Sequence, residues 1–385
     1  MKTQSNKISA STLSVLAWLL LCPALPCLAD KAAGAAKDAV IFSFATVGDS
    51  RYDANLPEAT AQDRIWVQHT RPLARILSEI QAQKPAALFF NGDMIMGYTT
   101  NAAVLNRQYA YWRGMVAGLL ESGTYVVPIP GNHEMQIKIE LDGVTDKVAQ
   151  AASENAWRAN MGDLILDTNR WQEATGSPIE GWNSNHAPTI GGPDGNQTDQ
   201  RQLSYSFDCR GLHFCMLNTD SVGHDSHAPI QWMAADLKAA RERGNRRFFV
   251  FGHKMAFTYH FSQAKEGKAK GLDIFPEERD VFWKLIEEYG ATYFCGHQHI
   301  YHAMQPHPEP SQAAWQIIAG SGGSPFEAKP GESKNPNDRK YVWVLVNVFK
   351  SGRVTMQAHG FDDAGGPTET IESLELAPGD RLVNR

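Results

Sequence analysis

Residues 40–51 read VIFSFATVGDSR, an apolar run that stops at Gly48 and opens into Asp49, Ser50 and Arg51. A run of this kind bounded by glycine reads as a strand, and the loop leaving a strand's carboxyl end is the usual seat of chemistry in an α/β sheet. The loop admits two chemistries. Ser50 is a candidate nucleophile, and Asp49 is a candidate metal ligand.

The same arrangement returns along the chain. AALFF (86–90) runs into NGDM with Asp93, and TYVVPIP (124–130) into GNHE with Asn132 and His133. RFFVFG (247–252) ends at His253, and TYFC (292–295) leads into GHQH with His297 and His299. Between these runs lie helical patterns: Leu73, Ile76, Leu77 and Ile80 share one face, and further helices are expected over 102–120, 230–243 and about 277–289. Strand, polar loop and helix in rotation describe an α/β sheet. Residues 161–202, rich in Gly, Asn and Pro around His186, interrupt the rotation and read as a surface insertion, a candidate lid or specificity loop. The segment 202–220 reads as a hairpin turning at Arg210-Gly211, which pairs residue 209 with 212 and 206 with 215. WQIIAG, YVWVLVNV and RVTMQAH, late in the chain, are expected to close a second sheet.

The first 29 residues have the form of an export leader: Lys2 and Lys7, then an apolar run broken by Pro23 and Pro26, then Cys-Leu-Ala before Asp30. The apolar stretch before Pro23 is short for a membrane span, so cleavage after Ala29 is expected, with no stable anchor and a periplasmic or secreted protein. Residues 30–39 form a small-residue linker, 40–360 one catalytic domain and 361–385 a tail. Removing the leader takes away two lysines and no acid, so the net charge of −6 becomes −8. That balance excludes a nucleic-acid binder working through a basic face, and an anionic ligand would need a local source of positive charge. Three cysteines remain, Cys209, Cys215 and Cys295, which rules out a disulfide scaffold; they are expected to be free.

Taken singly, each loop has an ordinary explanation, Asp49 as a helix cap or His253 as a core histidine. Five strand-end loops supplying only Asp, Asn and His converge if the strands share a sheet. That donor set suits Zn, Mn or Fe. The motifs in this order resemble the calcineurin-like metallophosphoesterases, with YSFDCRGLHFCMLNTD, FVFGHKMAF and GHQHIYHA similar to the purple acid phosphatase branch. The resemblance implies a four-layer α/β/β/α sandwich with mixed sheets and two metal ions, Fe, Mn or Zn. It further implies that Asp93 bridges both ions, that Asp49 and His299 hold the first, and that Asn132, His253 and His297 hold the second. His133 would be a phosphate contact or the general acid, and His260 a substrate-facing histidine. The implied activity is hydrolysis of a small phosphorylated substrate, a monoester first and a diester as the alternative, by in-line attack of a metal-bridged hydroxide.

Two positions depart from the relatives. Met96 stands where purple phosphatases carry a tyrosine ligand, and Arg51 where other members carry a histidine. A guanidinium has donors only, so Arg51 is not a ligand; it is a fork for the phosphate or a salt bridge at the rim. Tyr52 or water is then left to complete the first ion. Glu134 is expected to orient His133 or to cap a helix. The remaining rivals are a GDSL-like serine esterase built on Ser50, which lacks a late Asp-x-x-His, and a binding module that has lost catalysis.

Overall fold

The computed structural model describes residues 38–261, 268–309 and 314–377. The leader and most of the linker lie outside the described residues. Two six-stranded mixed sheets form the centre. In the first, Val40–Val47, Ala87–Phe90 and Tyr125–Pro128 run parallel, and Lys340–Phe349, Val354–Asp362 and Glu369–Ala377 extend it antiparallel from the other edge of Val40–Val47. In the second, Leu212–Met216, Arg247–Phe251, Thr292–Cys295 and Trp315–Ala319 are parallel, with Tyr205–Cys209 and Tyr301–Met304 as antiparallel edges.

The strands alternate sides, and the pattern decides the layers. Phe44 and Phe89 of the first sheet meet Phe249, Phe251 and Phe294 of the second; Phe89 stacks on Phe251 with centroids 4.2 Å apart, and Phe44 meets Phe249 edge-on at 5.2 Å. The residues between, Val250, Tyr293 and Cys295, face the other way into a second core with helices Ile230–Glu242 and Pro276–Glu288. Helices Thr70–Gln83 and Ala102–Glu121 bury Leu73, Ile76, Leu77, Leu105, Trp112 and Val116 on the first sheet. The four-layer α/β/β/α sandwich is therefore the observed fold. Among the described residues no helix is long and apolar enough to cross a membrane.

The hairpin at Arg210-Gly211 pairs Cys209 with Leu212 and Ser206 with Cys215, and all three cysteines are free and buried. Two expectations need correction. Only WQIIA joins the second sheet; YVWVLVNV and RVTMQAH pair into the first, where Lys340–Phe349 covers the open edge of Val40–Val47. The expected tail 361–385 is sheet through Ala377, and residues 378–385 lie outside the described residues. The insertion 161–202 is anchored to the body by side-chain bonds. His186 Nε2 bonds Asp236 Oδ1 at 2.9 Å, Asp194 accepts the amides of Gln231 and Trp232, and Gln200 bonds Glu154 and Asn218.

His186 belongs to a buried charge network. His213 Nδ1 donates to Asp208 Oδ1 at 2.7 Å and its Nε2 to Asp236 Oδ2 at 2.9 Å; Arg243 also pairs with Asp208. Burial opposes charge on His213, but the two carboxylates outweigh it and raise its pKa. Burial would raise Asp208 and Asp236, yet hydrogen bonds from His213 and His186 or Arg243 hold both below the usual carboxylate range. The histidine's contribution is complete below about pH 6.5 and fades as pH rises through its raised value; that of the aspartates is complete above about pH 4 and fades on acidification. Denaturant melts should therefore show most stability from this network between those limits. His213→Gln should cost about 3–5 kcal/mol at pH 6 and flatten the decline above neutrality.

Candidate metal centre

Parallel pairing brings the strand ends to one level: Val47 is level with Phe90, Phe90 with Pro128, and Phe251 with Phe294. The loops that follow converge at this end of the sandwich. Asp49 (φ 60°), Asp93 (φ 52°) and His297 (φ 69°) all sit in the left-handed region, an uncommon backbone for non-glycine residues that turns each side chain back across the strand ends. Neighbouring glycines leave room for this. A Cβ on Gly92 (φ 82°) would come within 2.7 Å of His253 Nδ1, and one on Gly296 would overlap Asp49 Oδ2.

Asp93, Asn132, His253 and His297 form one knot. His253 Nε2 lies 3.1 Å from Asp93 Oδ1 and 3.0 Å from Asn132 Oδ1; His297 Nδ1 lies 2.8 Å from that same oxygen and 3.2 Å from His253 Nε2. Asp49, Asp93 and His299 form the other, with ligand atoms within 4.8 Å of one another and His299 Nε2 3.6 Å from Asp49 Oδ1. Asp93 belongs to both groups. Each imidazole is fixed from behind: His253 Nδ1 donates to the Asn91 carbonyl at 2.7 Å, and His299 Nδ1 to the Pro325 carbonyl at 2.6 Å, which leaves both Nε2 atoms facing the centre.

The charges show what the site lacks. Burial drives the Asp49 carboxyl well above the usual range, and Asp93 adds to the effect. Burial also opposes ionisation of Asp93, but His133 and His253 hold it well below. Against burial, Asp93 and Asp49 push His253 up to about 10. Burial, then Arg51, lowers His299 to about 3, while burial, then His253, keeps His297 neutral. Asp49 Oδ1 is buried with no hydrogen-bond partner. Oxygen and imidazole lone pairs that face one another at about 3 Å call for a cation between them. The donors fit a pair of metal ions.

Around this cluster, His133 Nδ1 donates to the Met96 carbonyl at 2.6 Å, and its Nε2 is 3.7 Å from Asp93 Oδ2. Met96 thus serves through its backbone. Arg51 forms its salt bridge inside the cluster, with Asp93. Its Nη2 donates to His299 Nε2 at 3.1 Å, and its Nε lies 3.7 Å from Asp93 Oδ2. Tyr52 turns away, with its ring 4.3 Å from that of His69, and does not complete the first ion's shell. Ser50 donates to Gln68 Oε1 at 3.0 Å and bonds no histidine among the described residues, which argues against the serine-esterase reading. His260 is exposed and makes no hydrogen bond to the cluster among the described residues.

Sequence reasoning missed two positioning residues and part of the role of a third. Glu134 neither orients His133 nor only caps its own turn: it accepts the amides of Gly131 (2.7 Å), Asp93 (2.9 Å), Met94 (2.9 Å) and Ile95 (3.0 Å), which locks two loops together. Asn91 holds His253 through its carbonyl. Tyr98 accepts from Asn132 Nδ2 at 2.5 Å and so aims the amide oxygen at the cluster. Only an Asp/Glu three residues into a turn, and a tyrosine near Asp93, hinted at any of them.

The family model for calcineurin-like phosphoesterases matches residues 47–301, which includes every one of these loops. The chain belongs to this family and is a metallophosphoesterase by class. Among solved structures it is similar to a purple acid phosphatase from yellow lupin (Lupinus luteus) seeds, with a TM-score of 0.53, 13% identity and coverage of 88% of this chain and 54% of that one. The chain thus spans about half the length of the lupin protein, and the likeness is one of fold. A dimetal phosphatase from Danio rerio aligns at a TM-score of 0.45 and 10% identity, over 88% of this chain and 99% of that one. No curated protein matches by sequence.

Glu134→Ala would strand four amides. At about 1–3 kcal/mol for a buried unsatisfied donor, thermal melts should show a loss of at least about 3 kcal/mol. Glu134→Gln, which keeps one acceptor oxygen, should lose less.

Proposed function

We propose that the protein is an exported, metal-dependent phosphomonoesterase. The observation that carries the reading is the pair of ligand groups sharing Asp93, set beside His133 at the ends of parallel strands. Asp49, Asp93 and His299 would hold one ion, and Asp93, Asn132, His253 and His297 the other. When bound, such ions polarise the phosphoryl oxygens and lower the pKa of water, which produces a nucleophile near neutral pH.

The chain's own groups supply the rest. Burial, with Arg51 and Lys147 nearby, holds His133 well below the ordinary histidine range, so it is neutral in the free protein. With Nδ1 committed to Met96, its Nε2 carries the lone pair that faces Asp93. An arriving phosphoryl group brings negative charge, which favours the imidazolium and prepares Nε2 to donate to the leaving oxygen. Arg51 adds a fixed positive charge beside Asp93 and favours the dianion of a monoester over the monoanion of a diester. Export is supported by the leader pattern of residues 1–29.

The test uses metal-loaded protein with nitrophenyl phosphate, its bis-ester and an alkyl monoester. The monoesters should turn over faster than the diester. Arg51→Ala should narrow that preference by about tenfold or more. His133→Asn should cost about 10²–10⁴-fold on the alkyl ester and far less on nitrophenyl phosphate, whose leaving group needs little protonation. No turnover of any of them between mildly acid and alkaline pH would overturn the reading.

A further inference from the structure

Directly after His133–Met135 the chain forms a hairpin, Gln136–Leu141 with Val144–Ala149, that no sequence motif announces. Its first rung is pinned to the body. Gln136 Nε2 donates to Asp220 and Asp225, and the Ala149 amide donates to Asp225 at 2.9 Å. Tyr98 (φ 51°) bridges to Ile137 from the other side.

On the third rung, Lys138 and Lys147 are direct cross-strand partners. Like charges opposed on one face destabilise a strand pair unless something offsets them. Among the described residues neither ammonium has a carboxylate within ion-pair distance, and Glu140 on the same face is engaged by Thr145 at 2.6 Å. Both ammoniums instead gather over one ring, 4.9 and 5.1 Å from the centroid of Tyr98. That ring lies 3.9 Å from the His133 ring, and its hydroxyl bonds Asn132. The two lysines therefore stand one aromatic ring away from His133 and from a ligand of the metal centre. Lys147 also lies within the field of Asp93, and His133 and His297 feel its charge.

We propose that Lys138 and Lys147 form a second anion subsite that takes the distal phosphate of a substrate carrying two linked phosphates, a phosphoanhydride, while the other phosphate lies at the metal centre. The inference rests on the phosphohydrolase reading. In the reaction, water oxygen forms a bond to the phosphorus at the centre, and the bridging P–O bond breaks. The bond's electron pair leaves with the distal phosphate, and the water proton passes to that phosphate or to solvent. The lysines neutralise the charge that builds on the departing group, a role a simple monoester does not call on.

Pyrophosphate and orthophosphate serve as probes, each titrated calorimetrically into metal-loaded protein and used as inhibitors of nitrophenyl phosphate turnover. Wild type should bind pyrophosphate at least about tenfold more tightly than orthophosphate. Lys138→Ala/Lys147→Ala should bring that ratio to about one; Lys138→Arg/Lys147→Arg should restore the ratio. Chelation of free metal by pyrophosphate is common to all variants, so the comparison between them isolates the lysines. An unchanged ratio in the alanine variant, or an equal loss for both anions, overturns the proposal. A lysine-dependent preference for pyrophosphate in a protein that hydrolyses nothing leaves the subsite standing and fails the phosphohydrolase reading instead.

Discussion

Asp49 and Asp93 leave neighbouring parallel strands at the same level, and both are fully buried. Two carboxylates in such a place cannot both ionise without nearby positive charge. The surrounding architecture answers this constraint. The second sheet delivers His253, His297 and His299 from its own strand ends, the left-handed turns aim the ligands inward, and Glu134 fixes the loops that carry Asp93 and His133. The phenylalanine layer between the sheets sets their separation, so the two halves of the ligand set meet at about 3 Å.

Arg51 gives this centre its individual character. Where relatives are expected to add a ligand, the chain places a permanent cation that donates to His299 Nε2. An ion entering the first position must take the lone pair that Arg51 now engages, and one entering the second must displace the proton that Asp93 favours on His253. The two halves therefore differ in what holds them, one by four protein donors and one by three beside a guanidinium.

The ligand loops were legible because each is a short polar break after an apolar run, a local signal. Helices with a clear apolar face, such as that carrying Leu73, Ile76 and Leu77, were legible for the same reason. What sequence did not disclose is non-local or carried by the backbone. The strands Lys340–Phe349 and Val354–Asp362 join the first sheet because Val40–Val47 has an open edge, a fact about pairing three hundred residues away in the chain. Asn91 and Met96 act through carbonyls that any residue possesses. Glu134 was visible as an acid in a turn, but its four amide partners come from loops that only the fold brings together. His186 was visible as part of an insertion rich in glycine and proline, but its partner Asp236 comes from helix Ile230–Glu242, fifty residues on.

The central claim is that one buried aspartate is shared by two cation positions. Metal uptake by the metal-stripped protein, followed by calorimetry and by elemental analysis after dialysis, tests it most directly. The account predicts two ions per chain, the one at Asp49 and His299 retained less firmly, with His253→Ala and His299→Ala each losing one and Asp93→Ala losing both. Failure of the wild type to take up metal, or unchanged uptake by Asp93→Ala, would contradict it.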